Sequence, residues 1–248
     1  MVFGPTPVDE ALERCEQLLD EAHGDRSTEG WLLARLASLH TLREEIPRAR
    51  DLNERAIAML RELKLETDVV FLEVEAWRTE MVGGDLDAAE RLLRHGYDHL
   101  VAIGERYLLS TVAGLLAQTL YELGRLDETS ALADLTEELA ADDDIDTQAL
   151  WRCVRAKLWS AEGRHDEAIA LVRDALTVLE PTDAVLLQSA TLIDLAVVLG
   201  AAGRDEDRLA ALARARELAA AKGDLATVGL VERLAAAPVA ASTGQPPP

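Results

Sequence analysis

The chain repeats one short pattern about every forty residues. Five segments align on it: REEIPRAR from Arg43, GGDLDAAE from Gly83, LGRLDETS from Leu123, EGRHDEAI from Glu162 and AGRDEDRL from Ala202. The glycine position of the pattern falls at Glu44, Gly84, Gly124, Gly163 and Gly203, with spacings of 40, 40, 39 and 40 residues. A constant period of this length indicates stacked supersecondary units, each burying its apolar face on its neighbours.

The residues around the glycine predict a helix, a tight turn and a second helix. A glycine after an apolar-periodic segment adopts the left-handed conformation that ends a helix. Asp87, Asp127 and Asp166 then follow, as caps or first-turn acids of the next helix. Each repeat is therefore expected to be an antiparallel helical hairpin.

Small residues stand at constant distances from the turn. Seven residues before it lie Ala37, Ala117, Ala156 and Ala196, and alanine, glycine or threonine predominates five and twelve residues after it. Small side chains at such places let two helices approach closely where their axes cross.

This set of positions resembles the tetratricopeptide repeat (TPR), whose signature has a small residue, a glycine turn and two alanines at these separations. The resemblance covers roughly residues 8–236. The chain departs from the signature in its period, since about 34 residues are typical of TPRs. It also departs at Glu44 for the turn glycine, Trp77 for the first small residue and Arg208 for an alanine.

A looser resemblance concerns a narrower group of proteins. The segments GPTPVDEALERCEQLL, DTQALWRCVRAKLWSAEGRHDEAI and EPTDAVLLQSATLIDLAVVLGAAGR look like the C-terminal TPR regions of actinobacterial regulators. Those regulators carry a cyclase-like or signalling-ATPase domain upstream. The resemblance implies a role in signalling.

The resulting fold prediction is all-α. We expect a right-handed α-solenoid of about five TPR-like hairpins with one flanking helix at each end, and no strand. The predicted helical segments are 8–22, 29–63, 67–103, 106–140, 146–180, 182–221 and 224–236. The predicted organisation is an N-terminal lead over 1–7, a single TPR-like solenoid over 8–236 and a disordered, proline-rich tail over 237–248.

Charge and composition limit the classes of molecule that the protein is expected to bind. Against 25 Lys and Arg stand 46 Asp and Glu, so the net charge is −21. Such a surface repels phosphate backbones and anionic membranes, which predicts neither nucleic-acid nor membrane binding. The chain lacks a signal-like start and an apolar run long enough to span a bilayer. With two cysteines expected to be buried, Cys15 and Cys153, these features predict a cytoplasmic protein.

The sequence contains none of the common catalytic motifs. GxxxxGKS/T, GxGxxG, HExxH, GxSxG and CxxC are all missing from the sequence. We therefore predict a protein that is not an enzyme and that needs no cofactor.

Two weak metal patterns have simpler interpretations. His95 and His99 are four residues apart, a spacing that can hold a metal, but without an accompanying carboxylate motif. The acidic run from Asp142 to Asp146 lacks the glycine and the final glutamate of a calcium loop. A solvated helix face and an interhelix loop are favoured, and no metal is predicted.

A basic and aromatic cluster allows two interpretations. Trp151, Arg152, Arg155 and Lys157 lie together, and Trp159 follows. The cluster can stack a planar ligand or grip an acidic peptide. The favoured alternative is that the tryptophans fill space between hairpins and the arginines pair with nearby acids.

The TPR resemblance implies a concave groove lined by the first helix of each hairpin. Projecting the groove positions onto this chain selects Trp31, Ser38, Phe71, Val74, Arg78, Gln118, Tyr121 and Lys157. Arg78 and Lys157 are expected to hold carboxylates of a bound peptide. Burial in the core is the competing interpretation for Phe71 and Val74.

Two functions follow as hypotheses. The first is a non-catalytic scaffold that binds a peptide or helix of a protein partner in the groove, in bacterial signalling or regulation. The second is a regulatory domain that self-associates, as a homodimer, or senses a small effector. Apolar surface at an open end of the stack is the expected cause of self-association.

Overall fold

A computed structural model describes residues 2 and 4–237. Within them the chain forms twelve helices and no strand: α1 (Val8–Glu21), α2 (Arg26–Leu42), α3 (Ile46–Glu62), α4 (Glu66–Gly83), α5 (Leu86–Ile103), α6 (Tyr107–Glu122), α7 (Leu126–Leu139), α8 (Ile145–Ala161), α9 (His165–Leu179), α10 (Val185–Ala201), α11 (Asp205–Lys222) and α12 (Leu225–Ala236). The predicted all-α helical-repeat fold is confirmed. The ends of the helical segments lie within three residues of their predicted places. Beyond residue 237, the predicted disordered tail lies outside the described residues.

The turns inside the hairpins have the conformation that the glycine period predicts. Gly84 has a φ of 76° and follows α4, and the amide of Asp85 donates to the carbonyl of Glu80 at 3.0 Å. Glu44 occupies the equivalent place with a φ of 61°, so a residue with a side chain adopts the left-handed region there. Asp87, in the first turn of α5, is a first-turn acid, and Asp85 is the capping residue.

The described residues divide into two compact units. Unit 1 contains Val2, Thr6–Glu105 and Lys222–Ala226; unit 2 contains residues 4–5, Arg106–Ala221 and 227–237. The prediction of a single solenoid domain over 8–236 stays a prediction.

In unit 1 the small residues lie where the helices cross. Ala37 on α2 and Ala49 and Ala56 on α3 have no exposed surface. Trp77, which replaces the small residue of the signature on α4, is also buried. In the same unit, the ammonium of buried Lys222 donates to the carbonyl of Thr6.

Unit 2 has a core of the same type. Ala156, Ala168 and Ala175 are fully buried within one apolar cluster. A Cβ added at Gly114 on α6 would lie 2.5 Å from Cδ2 of Leu150 on α8, so a larger residue at Gly114 would require the Leu150 side chain to shift. Arg208, the departure from alanine, extends to the carbonyl of Leu234 at 3.0 Å.

Two local predictions also hold. Cys15 and Cys153 are free thiols and both are buried. The acidic run begins in the loop before α8 and ends at Asp146 in the first turn of α8, and the carboxylate of the N-cap residue Asp144 accepts a hydrogen bond from the amide of Thr147 at 3.1 Å. In the described part of the chain, no helix combines the length and the apolarity that crossing a membrane requires.

Candidate functional site

The predicted groove positions fall into both units, five in unit 1 and three in unit 2. In unit 1 they lie on α2 and α4. We call the surface formed by Trp31, Arg35, Ser38, Phe71, Val74, Glu75 and Arg78 the α2–α4 face.

The α2–α4 face has an aromatic pair at one end. The ring centroids of Trp31 and Phe71 are 6.1 Å apart, with an angle of 52° between the ring planes. Phe71 is 42% exposed, and Trp31 and Val74 are partly buried. Exposed aromatic side chains on a helix face are typical of protein-interaction surfaces, because they bury a large apolar area on binding. Phe71 is therefore not a core residue in this structure.

The polar part of the α2–α4 face is held together by Glu75. Its carboxylate accepts from the guanidinium of Arg35 and from the hydroxyl of Ser38, both at 2.6 Å. Arg35 also lies 5.8 Å from the centroid of the Trp31 ring. The charge of Arg35 is thus neutralised within the face, and its guanidinium lies within the range of a cation–π contact with the Trp31 ring. Arg78 is partly buried on the same face.

In unit 2 the predicted residue Lys157 is buried in an ion pair. Its ammonium lies 3.1 Å from Oδ1 of Asp194 on α10, and its side chain is only 3% exposed. It also lies 5.3 Å from the ring centroid of Tyr121. Burial by itself lowers the pKa of Lys157, but Asp194 and, less strongly, Glu122 raise it above its usual value. Lys157 is charged and already paired.

The Ser38–Glu75 and Lys157–Asp194 pairs occupy equivalent positions of the repeat in the two units. Ser38 and Lys157 both stand six residues before their turn position, and Glu75 and Asp194 both stand nine before theirs. Each pair joins the first helix of one hairpin to the first helix of the next. Side chains at this position therefore point toward a neighbouring helix. The groove role predicted for Ser38, Gln118, Tyr121 and Lys157 stays a prediction.

The buried cluster around Lys157 has no reactive nucleophile. Cys153 lies 4.0 Å from the hydroxyl of Thr191 and is buried. Burial, and then the charge of Asp194, raise the pKa of the Cys153 thiol well above its usual value. A thiol in this state is not a thiolate at neutral pH, and the thiolate is the reactive form.

Most side chains of the weaker metal and basic–aromatic patterns have partners within the fold, although the buried Nε2 of His99 has none among the described residues. His95 is hydrogen-bonded through Nδ1 to Glu73 at 2.8 Å. The Arg152 guanidinium lies 4.4 Å from the Trp151 ring centroid, and Arg155 pairs with Asp134 and with Glu137. Among the described residues, no group of three or more His, Cys, Asp or Glu side chains is placed to hold a metal ion.

Comparison with known proteins supports the fold. No protein-family model and no curated protein matches the chain. BtubC (BKLC) from P. vanneervenii is similar over 86% of this chain and 89% of its own, at 18% identity and a TM-score of 0.57. The fold is TPR-like. A Podosopora anserina protein of the kinesin light chain type, with nearly identical TPR-like repeats, and its Q17M variant each align over 76% of this chain and 93% of their own, at 17% identity and a TM-score of 0.49.

The sequence pattern did not single out the acids that pair with Ser38 and Lys157. Glu75 and Asp194 are two of 46 acidic residues, and nothing in their immediate neighbours distinguishes them. One signal was present: both acids lie nine residues before a turn position. In the TPR-like fold this position lies next to a polar residue on the first helix of the preceding hairpin.

Proposed function

We propose that this protein is a non-catalytic scaffold and that the α2–α4 face binds a peptide or helix of a protein partner. The observation that carries the proposal is the exposed aromatic pair of Trp31 and Phe71 on two successive first helices. Stacked hairpins hold such a surface rigid, and a preorganised surface lowers the entropy lost on binding. The looser resemblance to actinobacterial regulators favours a partner in signalling.

The partner segment is amphipathic, with aromatic or aliphatic anchors and basic flanks. The anchors bury the rings of Trp31 and Phe71. Basic flanks follow from charge complementarity, since the protein carries −21 and the first turn of α4, on the N-terminal side of Phe71, contains Glu66 and Asp68. The positive charges of Arg35 and Lys157 are neutralised by Glu75 and Asp194, which disfavours an acidic partner.

A selection from a library of random peptides tests this proposal. Peptides selected on the wild-type protein are expected to combine apolar anchors with Lys or Arg. Their affinity, measured by fluorescence polarisation, is expected to fall about tenfold or more in the Trp31→Ala/Phe71→Ala variant, because anchor residues dominate interface energy.

Tyr107→Ala is the matched control, because Tyr107 is an aromatic residue with 63% exposure in unit 2. This variant is expected to bind like the wild type. Selection of acidic peptides, or equal binding by the double variant with its helicity intact, would contradict the proposal. Lys157→Glu is unsuitable as a probe because it would bury a second carboxylate beside Asp194.

Self-association is the second candidate function. In unit 2, Val197, Leu209 and Leu230 are large apolar side chains with 38–47% exposure. A second copy of the chain would cover such side chains in a homodimer. Light scattering during size-exclusion chromatography tests it: a concentration-dependent dimer that Leu209→Glu abolishes supports it, and a monomer at every concentration excludes it.

A further inference from the structure

A cleft of about 340 Å³ lies in unit 1 and is lined by side chains of α3, α4 and α5. None of its lining residues belongs to the α2–α4 face, so its role is independent of the peptide proposed for that face. Its volume is at the lower end of the range for ligand pockets, which suits one side chain or a small molecule. The apolar part of its lining consists of Ile57 of α3, Ala76 of α4, and Ala88 and Leu92 of α5.

The cleft lies where the hairpin of α4 and α5 has a small residue and the other hairpins have a large one. Ala76 stands eight residues before the turn position at Gly84. The same offset in the other four hairpins gives Leu36, Leu116, Arg155 and Leu195. The three leucines are buried. The chain therefore fills this position with a large side chain of its own in four hairpins, and at Ala76 it does not.

Ion pairs close the two ends of the cleft. At one end, the carboxylate of buried Glu73 lies 2.9 Å from Arg61 and 2.8 Å from Nδ1 of His95. At the other end, Glu80 accepts from Nε and Nη2 of Arg50. Residues 73 and 80 are about 10 Å apart along the α4 axis, from a rise of about 1.5 Å per residue. The opening between the two ends is therefore short, and its length suits a single aliphatic side chain.

Two opposite charges without ion-pair partners stand on the two walls of this opening. Glu54 of α3 and Arg91 of α5 line the cleft, are exposed, and make no ion pair within the described part of the chain. Along α3, Glu54 lies between the two arginines that pair with Glu73 and Glu80. One wall can thus accept a cation and the other wall an anion.

We propose that this cleft docks a segment of a partner protein that carries one leucine-sized apolar side chain between a basic and an acidic residue. The apolar side chain lies between Ile57 and Leu92, over Ala76. The basic residue pairs with Glu54 and the acidic residue pairs with Arg91. A segment whose flanks carry one sign of charge would leave one of these two walls unpaired.

The anchor and the charges have different effects on binding. Burial of the apolar side chain supplies most of the affinity. The exposed ion pairs add little affinity and decide which segment binds. A second copy of the chain is a poorer occupant, because two molecules of charge −21 repel each other.

NMR titration of the full chain with capped heptapeptides tests the inference. Two peptides have leucine between lysine and glutamate, one in each order, with an alanine on either side of the leucine so that the three side chains share one face of an extended segment. A third peptide has serine in place of leucine. In a fourth both flanks are lysine, and in a fifth both are glutamate.

At about 0.15 M NaCl, where long-range attraction is screened, one of the first two peptides is expected to bind saturably and to shift the amide signals of Ala88 and Leu92. The serine peptide is expected to bind about tenfold more weakly or worse. The peptides with two like charges are expected to bind about threefold more weakly. Equal binding of the serine peptide, or no saturable shift by either leucine peptide up to about 10 mM, would overturn the proposal.

Three further results would assign the cleft or the peptide differently and would also overturn the proposal. Binding of uncharged 3-methylbutan-1-ol as tight as that of the leucine peptide would assign the cleft to a small apolar molecule. Shifts of the Ala88 and Leu92 signals on dilution without peptide would assign it to a second copy of the chain. Peptide-induced shifts confined to Phe71 and Val74 would place the peptide on the α2–α4 face.

Variants that fill the cleft test the place of the anchor. Ala76→Leu introduces the residue type of the other hairpins and is expected to weaken binding of the leucine peptide about tenfold or more. Ala58→Leu is the matched control, because Ala58 is an exposed alanine of α3 that does not line the cleft, and it is expected to bind like the wild type. Ala88→Leu fills the cleft from α5 and carries the test if Ala76→Leu fails to fold. Wild-type binding by a folded filling variant would count against the proposal.

Variants that reverse a charge test the two walls. Arg91→Glu is expected to make the peptide with two lysines the tightest, and Glu54→Lys the peptide with two glutamates. Arg55→Glu is the control, since Arg55 pairs with Asp51 and does not line the cleft, and it is expected to keep the wild-type order of the peptides. The wild-type order in both Arg91→Glu and Glu54→Lys would refute the proposed charge contacts.

Discussion

At the scale of single residues, buried charges have the largest energetic consequences in this protein. Lys157 is separated from solvent and its charge is balanced by one carboxylate, that of Asp194. Glu73 is similarly buried, and burial raises its pKa although His95 and Arg61 act to lower it. In both places partners from other helices, one for Lys157 and two for Glu73, stabilise a charge that burial disfavours.

Asp194→Ala is expected to lower the free energy of unfolding by about 3–5 kcal/mol, because it leaves the Lys157 ammonium buried and unpaired. Urea unfolding followed by tryptophan fluorescence measures this loss. The double variant Lys157→Met/Asp194→Leu is expected to recover most of it, since an apolar pair of similar size carries no desolvation cost. A loss below about 1 kcal/mol in Asp194→Ala would show that water reaches the ammonium.

His40 is expected to make stability depend on pH. The side chain is buried, Nδ1 is hydrogen-bonded to Glu45 at 2.8 Å, and Nε2 has no partner within the described residues. Burial first, and the charge of Arg48 second, lower the pKa of His40 below 6.5. The unfolded state therefore binds the proton more tightly, and stability present above about pH 6.5 falls as the pH decreases toward the folded pKa.

Urea unfolding of the wild type and of His40→Gln at about pH 7 and about pH 5 measures this dependence. The contribution of His40 to the free energy of unfolding is expected to change by at most about 1.4 kcal/mol per pH unit. His40→Gln is expected to show a shallower slope. His23→Gln is the control because the His23 side chain is 95% exposed, and it is expected to match the wild type. Identical slopes in all three proteins would show that His40 does not carry the effect.

At the scale of elements, the hairpin turn is the unit that repeats. Each turn uses one left-handed residue to reverse the chain, and this is glycine at Gly84, Gly124, Gly163 and Gly203. The exception, Glu44, has the same conformation with a side chain present, at a cost in backbone strain. The turn conformation is thus set by the hairpin, and glycine only makes it less costly.

A reciprocal pair of substitutions tests this interpretation. Gly84→Ala is expected to lower the free energy of unfolding by about 1 kcal/mol, purely through the backbone, because an added Cβ meets nothing within 4 Å. Glu44→Gly is expected to raise the free energy of unfolding by up to about 1 kcal/mol. The gain is reduced because glycine loses more conformational entropy on folding than glutamate does. Thermal unfolding monitored by circular dichroism compares the two, and changes of the same sign would contradict the prediction.

At the scale of the whole molecule, the charge of −21 acts on every encounter with a partner. A peptide with basic flanks, as proposed for the α2–α4 face, is attracted before it makes contact. Its association rate is expected to fall about tenfold between about 0.05 M and about 0.5 M NaCl, because added salt shortens the range of this attraction. Surface plasmon resonance measures this rate; a variant peptide without basic flanks is expected to associate slowly at both concentrations.

The period of the pattern and its turn chemistry were enough to predict the five hairpins, which are ten of the twelve helices. Helix formation and chain reversal depend on residues within one or two turns of each other, and four glycines of the period mark the turns inside the hairpins. The small residues around the turn predicted the close helix crossings, and Ala37, Ala49 and Ala56 are fully buried as that pattern requires. These properties are local, so the order of residues along the chain carries them.

The partners of the polar side chains depend on which helices come together. Lys157 meets Asp194, 37 residues away, and Ser38 meets Glu75 at the same separation. Many acids lie at comparable distances along the chain, and the relative rotation of neighbouring helices selects one of them. Folding forms these pairs by bringing together residues that are remote in sequence. The periodic pattern of the sequence does not specify how neighbouring helices are rotated relative to each other, so it does not predict the pairs.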